Sequence, residues 1–388
     1  MSESIPLSRP DITDHEIDAV AATLRSGRLS LGPRVPEFEY HIASRAHRAH
    51  AVAVNSGTSG LQLALMALGV GPGDEVITPA FSFVASANCI MHVGATPVFV
   101  DCDPGTLNVK PEDIERRITE RTKAIIAVEV FGNPAHMPEI EALANRHEIP
   151  LVEDCCEGLG CRIDGRPVGS FGRVGVFSFY PNKQVTAGEA GVIVTDDDNL
   201  ASLCRSLRNQ GRPDNPEAVP GLGSWLVHER VGYNYRLSEL HAALGVAQME
   251  RFDEIMEKRS RVAAAYTRRL AGHRDLILPT IEPSTVMNWF VYVVRLSTEF
   301  TELDRNEIIA GLRRHDVGAS NYFPPIPMLP FYRRMFDFSP EDFPCAVSAS
   351  TRTIALPFYS ALREREVDLV CQTLDVMIGR STFARRAG

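Results

Sequence analysis

The sequence holds no run of 18 uncharged apolar residues, the length a membrane-spanning helix needs, so no bilayer span is expected. Its first residues, MSESIPLSRPDITDHEID, are polar and lack an apolar signal core, so a cytoplasmic location is expected. Positive charge is in deficit: 40 Lys and Arg stand against 49 Asp and Glu, a formal net charge of −9. Such a surface repels nucleic acid and anionic lipid, and neither is an expected partner. A local basic pocket for an anionic small molecule stays compatible with that sum. Cysteine is sparse, 8 in 388 residues, with no C-x-x-C pair and no zinc-like spacing. A disulfide scaffold and a structural metal are therefore not expected, and reduced thiols are. The adjacent Cys155 and Cys156 admit a redox-active reading, but cysteines near a buried strand end are more often small packing residues. There is no internal repeat, no low-complexity segment and no GxGxxG, the mark of a dinucleotide site.

What is present is ordinary globular composition, 44% hydrophobic and 23% charged, in a chain long enough for two domains. From about residue 50 to 200, short apolar runs alternate with helical periodicity. Strands are expected at 51–54, 75–78, 96–100, 124–130, 149–152, 174–179 and 191–195. Helices are expected between them at 58–68, 83–92, 111–118 and 138–147. Seven strands with interleaved helices predict a mostly parallel α/β sheet covered on both faces. Residues 212–227, with three prolines and two glycines, read as a loop. A long helical stretch over 237–270 follows, then a strand at 289–296, a helix at 304–315, a Pro-rich segment at 322–330 and a last helix at 363–377. The domain boundary is expected near 250: a large domain over 1–250 and a smaller α/β domain over 251–388.

Ligands of such sheets bind beyond the carboxyl ends of the strands, so the residues just after each strand carry the interest. Lys183 follows the run Val174–Tyr180, between small and apolar neighbours. A lysine is ordinarily a solvated surface group. One desolvated at a strand end is a nucleophilic amine, suited to a carbon–nitrogen double bond with an aldehyde. Asp154 ends the apolar strand that begins at Ile149. It caps a loop or helix on one reading. On the other it is the acid that pairs with the ring nitrogen of pyridoxal phosphate. Ser56, Gly57 and Thr58 join a strand to a helix within Asn55–Gly60. Plain N-capping and phosphate binding at the helix N-terminus are both open there. The three signals share one sheet edge. A phosphate grip, an acid and an amine together specify pyridoxal phosphate.

These residues lie in longer stretches: GRLSLGPRVPEFE at 27–39, NSGTSGLQLAL at 55–65, GPGDEVITPAFSFVASAN at 71–88 and GATPVFVDCDP at 94–104. VEDCCEGLG at 152–160, FSFYPNKQVTAGEAG at 177–191 and GYNYRLSELHAALG at 232–245 complete the set. In this order, nearly end to end, they resemble the DegT/StrS family of pyridoxal-phosphate-dependent nucleotide-sugar aminotransferases. The resemblance implies a fold-type I aminotransferase and a homodimer with sites shared at the subunit interface. It implies that Lys183 bonds the cofactor and shuttles protons, and that Asp154 partners the ring nitrogen. Phe83 matches the aromatic stacked on the cofactor ring. Gly57, Thr58 and Ser178 match phosphate-binding positions, with Ser56 beside them. Asn234 matches a residue reaching the phosphate from the neighbouring subunit. Arg236 matches one that meets anionic substrate groups, and Tyr322 falls in the sugar-facing segment.

Three positions depart from the family pattern. Glu157 stands where Gln or His is common, near the cofactor's phenolic oxygen. A Glu there resembles the GDP-perosamine synthases, which aminate a 4-keto-6-deoxy sugar, and is best tolerated protonated or hydrogen-bonded. Ala190 replaces a usual Gly, and Pro327 stands where many relatives have His. Lys183 argues against the related dehydratases, in which His replaces the lysine. The expected activity is transfer of an amino group from L-glutamate to the keto group of a nucleotide-linked deoxy sugar, for polysaccharide or glycoconjugate synthesis. A keto-cyclitol aminotransferase of the scyllo-inosose type, a non-catalytic cofactor-binding regulatory protein and an unrelated Rossmann-type binding protein are the rival readings.

Overall fold

The computed structural model describes residues 4–214 and 227–387. Most of the expected loop at 212–227 lies outside the described residues. Helices α1 (Asp14–Ser26) and α2 (Arg34–Ala46) precede the sheet. Then β1 (His50–Val54), α3 (Gly57–Ala67), β2 (Glu75–Pro79), α4 (Ala85–His92), β3 (Thr96–Val100), α5 (Pro111–Glu115), β4 (Thr122–Val128), α6 (Met137–Arg146) and β5 (Leu151–Asp154) alternate. A short ribbon pairs β6 (Arg162–Ile163) with β7 (Arg166–Pro167), and β8 (Val174–Ser178), β9 (Gly191–Thr195) and α7 (Asp198–Arg208) follow.

The large sheet has seven strands in the order β1-β9-β8-β5-β4-β2-β3. Only β9 runs against its neighbours, pairing antiparallel with both β1 and β8. The other pairs, β8-β5-β4-β2-β3, are parallel. Every residue of β2, β5 and β9 is buried, as expected of strands covered on both faces. One face packs Leu61, Leu65 and Ile90; the other packs Phe38, Ile42 and Met249. Each fully buried Leu or Phe contributes about 1.5–3 kcal/mol relative to exposure.

The expected single helix over 237–270 is two, α8 (Glu239–Glu250) and α9 (Phe252–Leu270), separated at Arg251. Arg251 leaves the helical path and pairs with Asp11, Glu16 and Glu254, which ties this corner to α1. Next come β10 (Leu276–Ile277), β11 (Thr285–Val286), β12 (Tyr292–Leu296), α10 (Glu302–Arg314), α11 (Pro330–Phe336), α12 (Pro344–Ser350), β13 (Thr353–Leu356) and α13 (Glu364–Ala387). The strand expected at 289–296 begins only at Tyr292, so Trp289 and Phe290 lie before it. β10-β12-β13 form a small sheet, with a second core of Tyr266, Tyr292, Leu312 and Leu374, joined by Ile5 from the N-terminus. The stretch between α10 and β13 returns to the large sheet. Ile326, Tyr332, Phe343 and Ala346 pack into its core, and the Ile326 N–H donates to the Ala80 carbonyl at 2.8 Å. Among the described residues no helix is long and apolar enough to cross a membrane, and the eight cysteines are unpaired thiols.

Candidate active site

The parallel strands bring their carboxyl ends to one edge, where a cavity of about 550 Å³ opens. Ser56, Gly57, Thr58, Phe83, Asp154, Glu157, Ser178, Lys183 and Tyr322 all line it. Nine of the eleven residues expected in the site thus converge. Asn234 and Arg236 do not line this chain's cavity. Asn234 is exposed and pairs through its backbone with Asn209, whose side-chain oxygen accepts from Arg236 Nη1 at 3.1 Å. Pro327 is also off the cavity, buried in a tight turn.

The helix α3 starts at the cavity wall. Ser56 caps it: its Oγ accepts the Ser59 N–H at 3.1 Å. Gly57 is required by space, because a Cβ there would lie 2.9 Å from Ser178 Cβ and 3.0 Å from Cys156 Sγ. The glycine lets the first turn press against β8, and that turn, with its free amides, lines the cavity.

Asp154 ends β5, flanked in register by Val128 and Val176. Burial pushes its carboxyl above the usual range, while hydrogen bonds from Cys156 and the charge of Lys183 pull the other way. The Cys156 N–H donates to Oδ1 at 3.3 Å. A carboxyl so buried takes a cationic N–H as its natural partner. Glu157 is buried as well, and burial raises its pKa against the opposing effects of Lys183 and the Phe131 amide. Its Oε2 accepts the Phe131 N–H at 2.8 Å, and its backbone carbonyl accepts from Gln184 Nε2 at 2.5 Å. Phe131 reaches that position with φ 59°, in the left-handed region.

Lys183 is not a surface lysine: its side chain is only 13% exposed. Nζ lies 3.6 Å from Glu157 Oε1 and 4.1 Å from the centre of the Phe290 ring. Above it stands an aromatic wall. Tyr322 stacks on Phe323 with centroids 4.9 Å apart, and Phe131 and Phe83 pair with the same group. Phe83 is 58% exposed at the mouth of the cavity. Cys156, Asn182, Phe290 and Phe323 line the cavity without having been expected there. Asn182 and Cys156 lie inside quoted motifs next to Lys183 and Asp154, which was a usable signal. Phe323 follows Tyr322 in the segment expected to face the sugar, whereas Phe290 had no signal, because only the fold brings its segment to this edge.

The donor set fits a pyridoxal phosphate: a helix N-terminus opened by glycine, a buried acid with no ion pair among the described residues, and an enclosed amine. A mostly parallel seven-stranded sheet with this pocket at its strand ends defines a fold-type I pyridoxal-phosphate enzyme. Comparison with known proteins agrees. Residues 10–375 match the model of the DegT/DnrJ/EryC1/StrS aminotransferase family. The chain is 37% identical over 379 residues to the spore coat polysaccharide biosynthesis protein SpsC of Bacillus subtilis, covering 97% of each. It is 36% identical over 377 residues to a GDP-perosamine synthase of Caulobacter vibrioides, covering 96% of this chain and 98% of that one. The solved structure of Spr1654 from Streptococcus pneumoniae in its PMP form superposes with a TM-score of 0.92 at 29% identity, covering 97% of this chain and 100% of that one. The chain belongs to the DegT/DnrJ/EryC1/StrS aminotransferase family and is a pyridoxal-phosphate-dependent sugar aminotransferase.

Proposed function

We propose that this enzyme moves the amino group of L-glutamate to the keto group of a nucleotide-linked 4-keto-6-deoxyhexose, for polysaccharide or glycoconjugate synthesis. The observation that carries the reading is the enclosure of Lys183, Asp154 and Glu157 in one cavity. It is supported by relatives named GDP-perosamine synthase at 33–36% identity over nearly their whole length, and by one named for spore coat polysaccharide.

In this reading Ser56, Gly57, Thr58 and Ser178 hold the phosphate at the N-terminus of α3. Asp154 holds a proton on the ring nitrogen, and Phe83 covers a ring face. When bound, the cofactor supplies an electron-accepting ring and an aldehyde carbon that accepts and gives up the amino group. Lys183 takes a proton from the donor's α-carbon and later returns one to the sugar's carbon. The buried Glu157 faces the same amine and anchors Phe131 under the aromatic wall. Tyr322 and Phe323 close the cavity over the sugar.

The working unit in this reading is a homodimer. Exposed apolar groups at the cavity mouth, Phe83 and Tyr180, support a second copy of the chain there. Asn234 and Arg236 then serve the partner's cavity, on the phosphate and on anionic substrate groups. The test is glutamate-dependent amination of keto sugars carrying GDP, UDP or dTDP. Lys183→Ala is expected to bind cofactor and to lose turnover on the order of 10³-fold. Full turnover in that variant, or amination of a keto-cyclitol in preference to every nucleotide sugar, overturns the proposal.

A further inference from the structure

A lysine that alternates between bonded and free states needs somewhere to rest when free. Its four-carbon stem is flexible, and an amine that swings to solvent is lost to the reaction. Two groups flank Nζ of Lys183: Glu157 Oε1 at 3.6 Å and the face of Phe290 at 4.1 Å from its centre. The second lies well inside the roughly 6 Å at which a ring quadrupole attracts a cation. Phe290 is 2% exposed, so that attraction acts in a desolvated setting.

The ring is itself fixed from behind. Trp289 and Phe290 precede β12 and gain no ladder hydrogen bonds from it. Their carbonyls are instead held by one guanidinium: Arg259 Nε donates to Trp289 O at 2.7 Å and Nη2 to Phe290 O at 2.6 Å. Arg259, on α9, is 3% exposed. Among the described residues no carboxylate lies within ion-pair distance of it, and its other neighbour is the face of Phe358 at 4.9 Å. Burial lowers its pKa to about 9. The charge of Asp11 acts on it only from beyond ion-pair distance, so burying this cation is costly, and two short charge-assisted bonds to these carbonyls offset that cost.

We propose that Phe290 is a positioning residue for Lys183: its ring face keeps the free ammonium beside the reacting carbon, and Arg259 keeps the ring in place. The inference rests on the reading of Lys183 as the residue that bonds the cofactor. The hold is specific to the charged state. A π face attracts the ammonium and has little pull on the neutral amine, so the side chain is released as it gives up its proton. Glu157 supplies the counter-charge on the other flank, which keeps the ammonium between the two groups.

The test uses the full-length apoprotein and holoenzyme with Phe290→Leu, Phe290→Tyr and Arg259→Met. Leu keeps apolar bulk without a π face, and Tyr keeps the face. Borohydride reduction of apoprotein with added pyridoxal phosphate fixes the adduct, located by peptide mass, and identifies the residue that bonds the cofactor. The rate readout is the single turnover with L-glutamate as a function of its concentration, because the ammonium that the ring holds forms when Lys183 takes up the donor's proton. Phe290→Leu is expected to slow this rate on the order of tenfold with the half-saturating glutamate unchanged, while Phe290→Tyr stays within about threefold of the parent. Arg259→Met is expected to slow the same rate, and to add little when combined with Phe290→Leu, since both act through one ring. Phe290→Leu as fast as the parent overturns the proposal. So do equal losses in Leu and Tyr, or additive effects of Phe290→Leu and Arg259→Met. Should the Leu protein not fold, Phe290→Met against Phe290→Tyr decides on the same criteria. A parent adduct at a residue other than Lys183 sinks the site assignment itself; an adduct at Lys183 with a fast Leu variant sinks only the role of Phe290.

Discussion

Glu157 offers one carboxylate oxygen to each of two partners: Oε1 faces the Lys183 amine at 3.6 Å, and Oε2 accepts the Phe131 N–H at 2.8 Å. The charge and the anchor can be separated by mutation. Glu157→Gln keeps an acceptor for Phe131 and cannot carry charge. It is expected to retain the cofactor and lose about tenfold or less in turnover, with the sugar KM little changed. Glu157→Ala also frees the left-handed turn at Phe131, whose ring supports Tyr322 and Phe323. Leaving that amide unpaired costs about 1–3 kcal/mol. The sugar KM should then rise together with the fall in kcat. Steady-state kinetics on both variants check this, and equal KM values in Gln and Ala would remove the anchoring role.

The glycine at the head of α3 makes a second prediction. A methyl group at residue 57 meets Ser178 and Cys156 at 3.0 Å or less, and both neighbours are on strand-bound backbone or close to it. Overpacking of this kind costs about 1–3 kcal/mol. Because it pushes the helix N-terminus away from β8, Gly57→Ala should weaken pyridoxal phosphate binding by about tenfold or more. Absorbance titration of the apoprotein measures this. Unchanged affinity would mean that the phosphate is held elsewhere.

Much of this site is readable in the chain because its parts are local. Asp154 ends a short apolar strand, and Ser56–Gly57 sits at a strand-to-helix joint. In a parallel sheet both necessarily reach the same edge. The aromatic wall is different. Phe131, Phe290 and Phe323 come from three distant segments; only Phe323, beside Tyr322, lies in a segment the sequence marks, and nothing near Phe131 or Phe290 does. The break at Arg251 is equally hidden: apolar and polar residues keep a helical rhythm through it, and its partners Asp11 and Glu16 come from the distant N-terminal segment. The helix α1 itself was readable. Thr13 and Glu16 form a capping box, a spacing visible in the sequence, but the exposure of Ile17 and Leu24 blurs the apolar stripe that would have confirmed it.

Glu129 predicts a pH dependence of stability. Both its side-chain oxygens are buried without a hydrogen-bond partner, beside a Glu153 that accepts the Gly169, Phe171 and Gly172 N–H groups. Of this pair Glu129 therefore keeps the proton. Burial, reinforced by the charges of Glu153 and Asp154, raises it well above the ordinary 4.5. A carboxyl raised in the fold holds its proton more tightly there than in the unfolded chain. Its contribution is whole below about pH 4.5 and is lost as pH climbs toward the folded value. The melting temperature of the parent should fall as pH rises from about 5 to about 8. Glu129→Gln cannot ionise and should fall less over the same range. Parallel curves for the two proteins would show that Glu129 is not the group responsible.

Asp101 lies outside the cavity and fastens the far end of the stretch that carries Tyr322 and Phe323. It follows β3, and its two carboxylate oxygens accept the Cys345 and Ala346 N–H groups at 2.8 Å each, at the start of α12. Those amides have no partner within their own helix, so the bond from Asp101 fastens the far end of the returning stretch to the large sheet. The near end is fastened by the Ile326 N–H on Ala80. Loss of such a cap costs about 0.5–2 kcal/mol. In Asp101→Ala the far end keeps only its packing through Tyr332, Phe343 and Ala346, and the looser stretch is expected to let the aromatic wall sample more positions. On the proposed reading the wall closes over the sugar and not over the amino donor. Asp101→Ala is thus expected to leave the glutamate half-reaction within about twofold of the parent and to raise the sugar KM about fivefold, with Asp101→Asn between them. A matched loss in both half-reactions would place the effect of Asp101 on the whole sheet instead of on this segment.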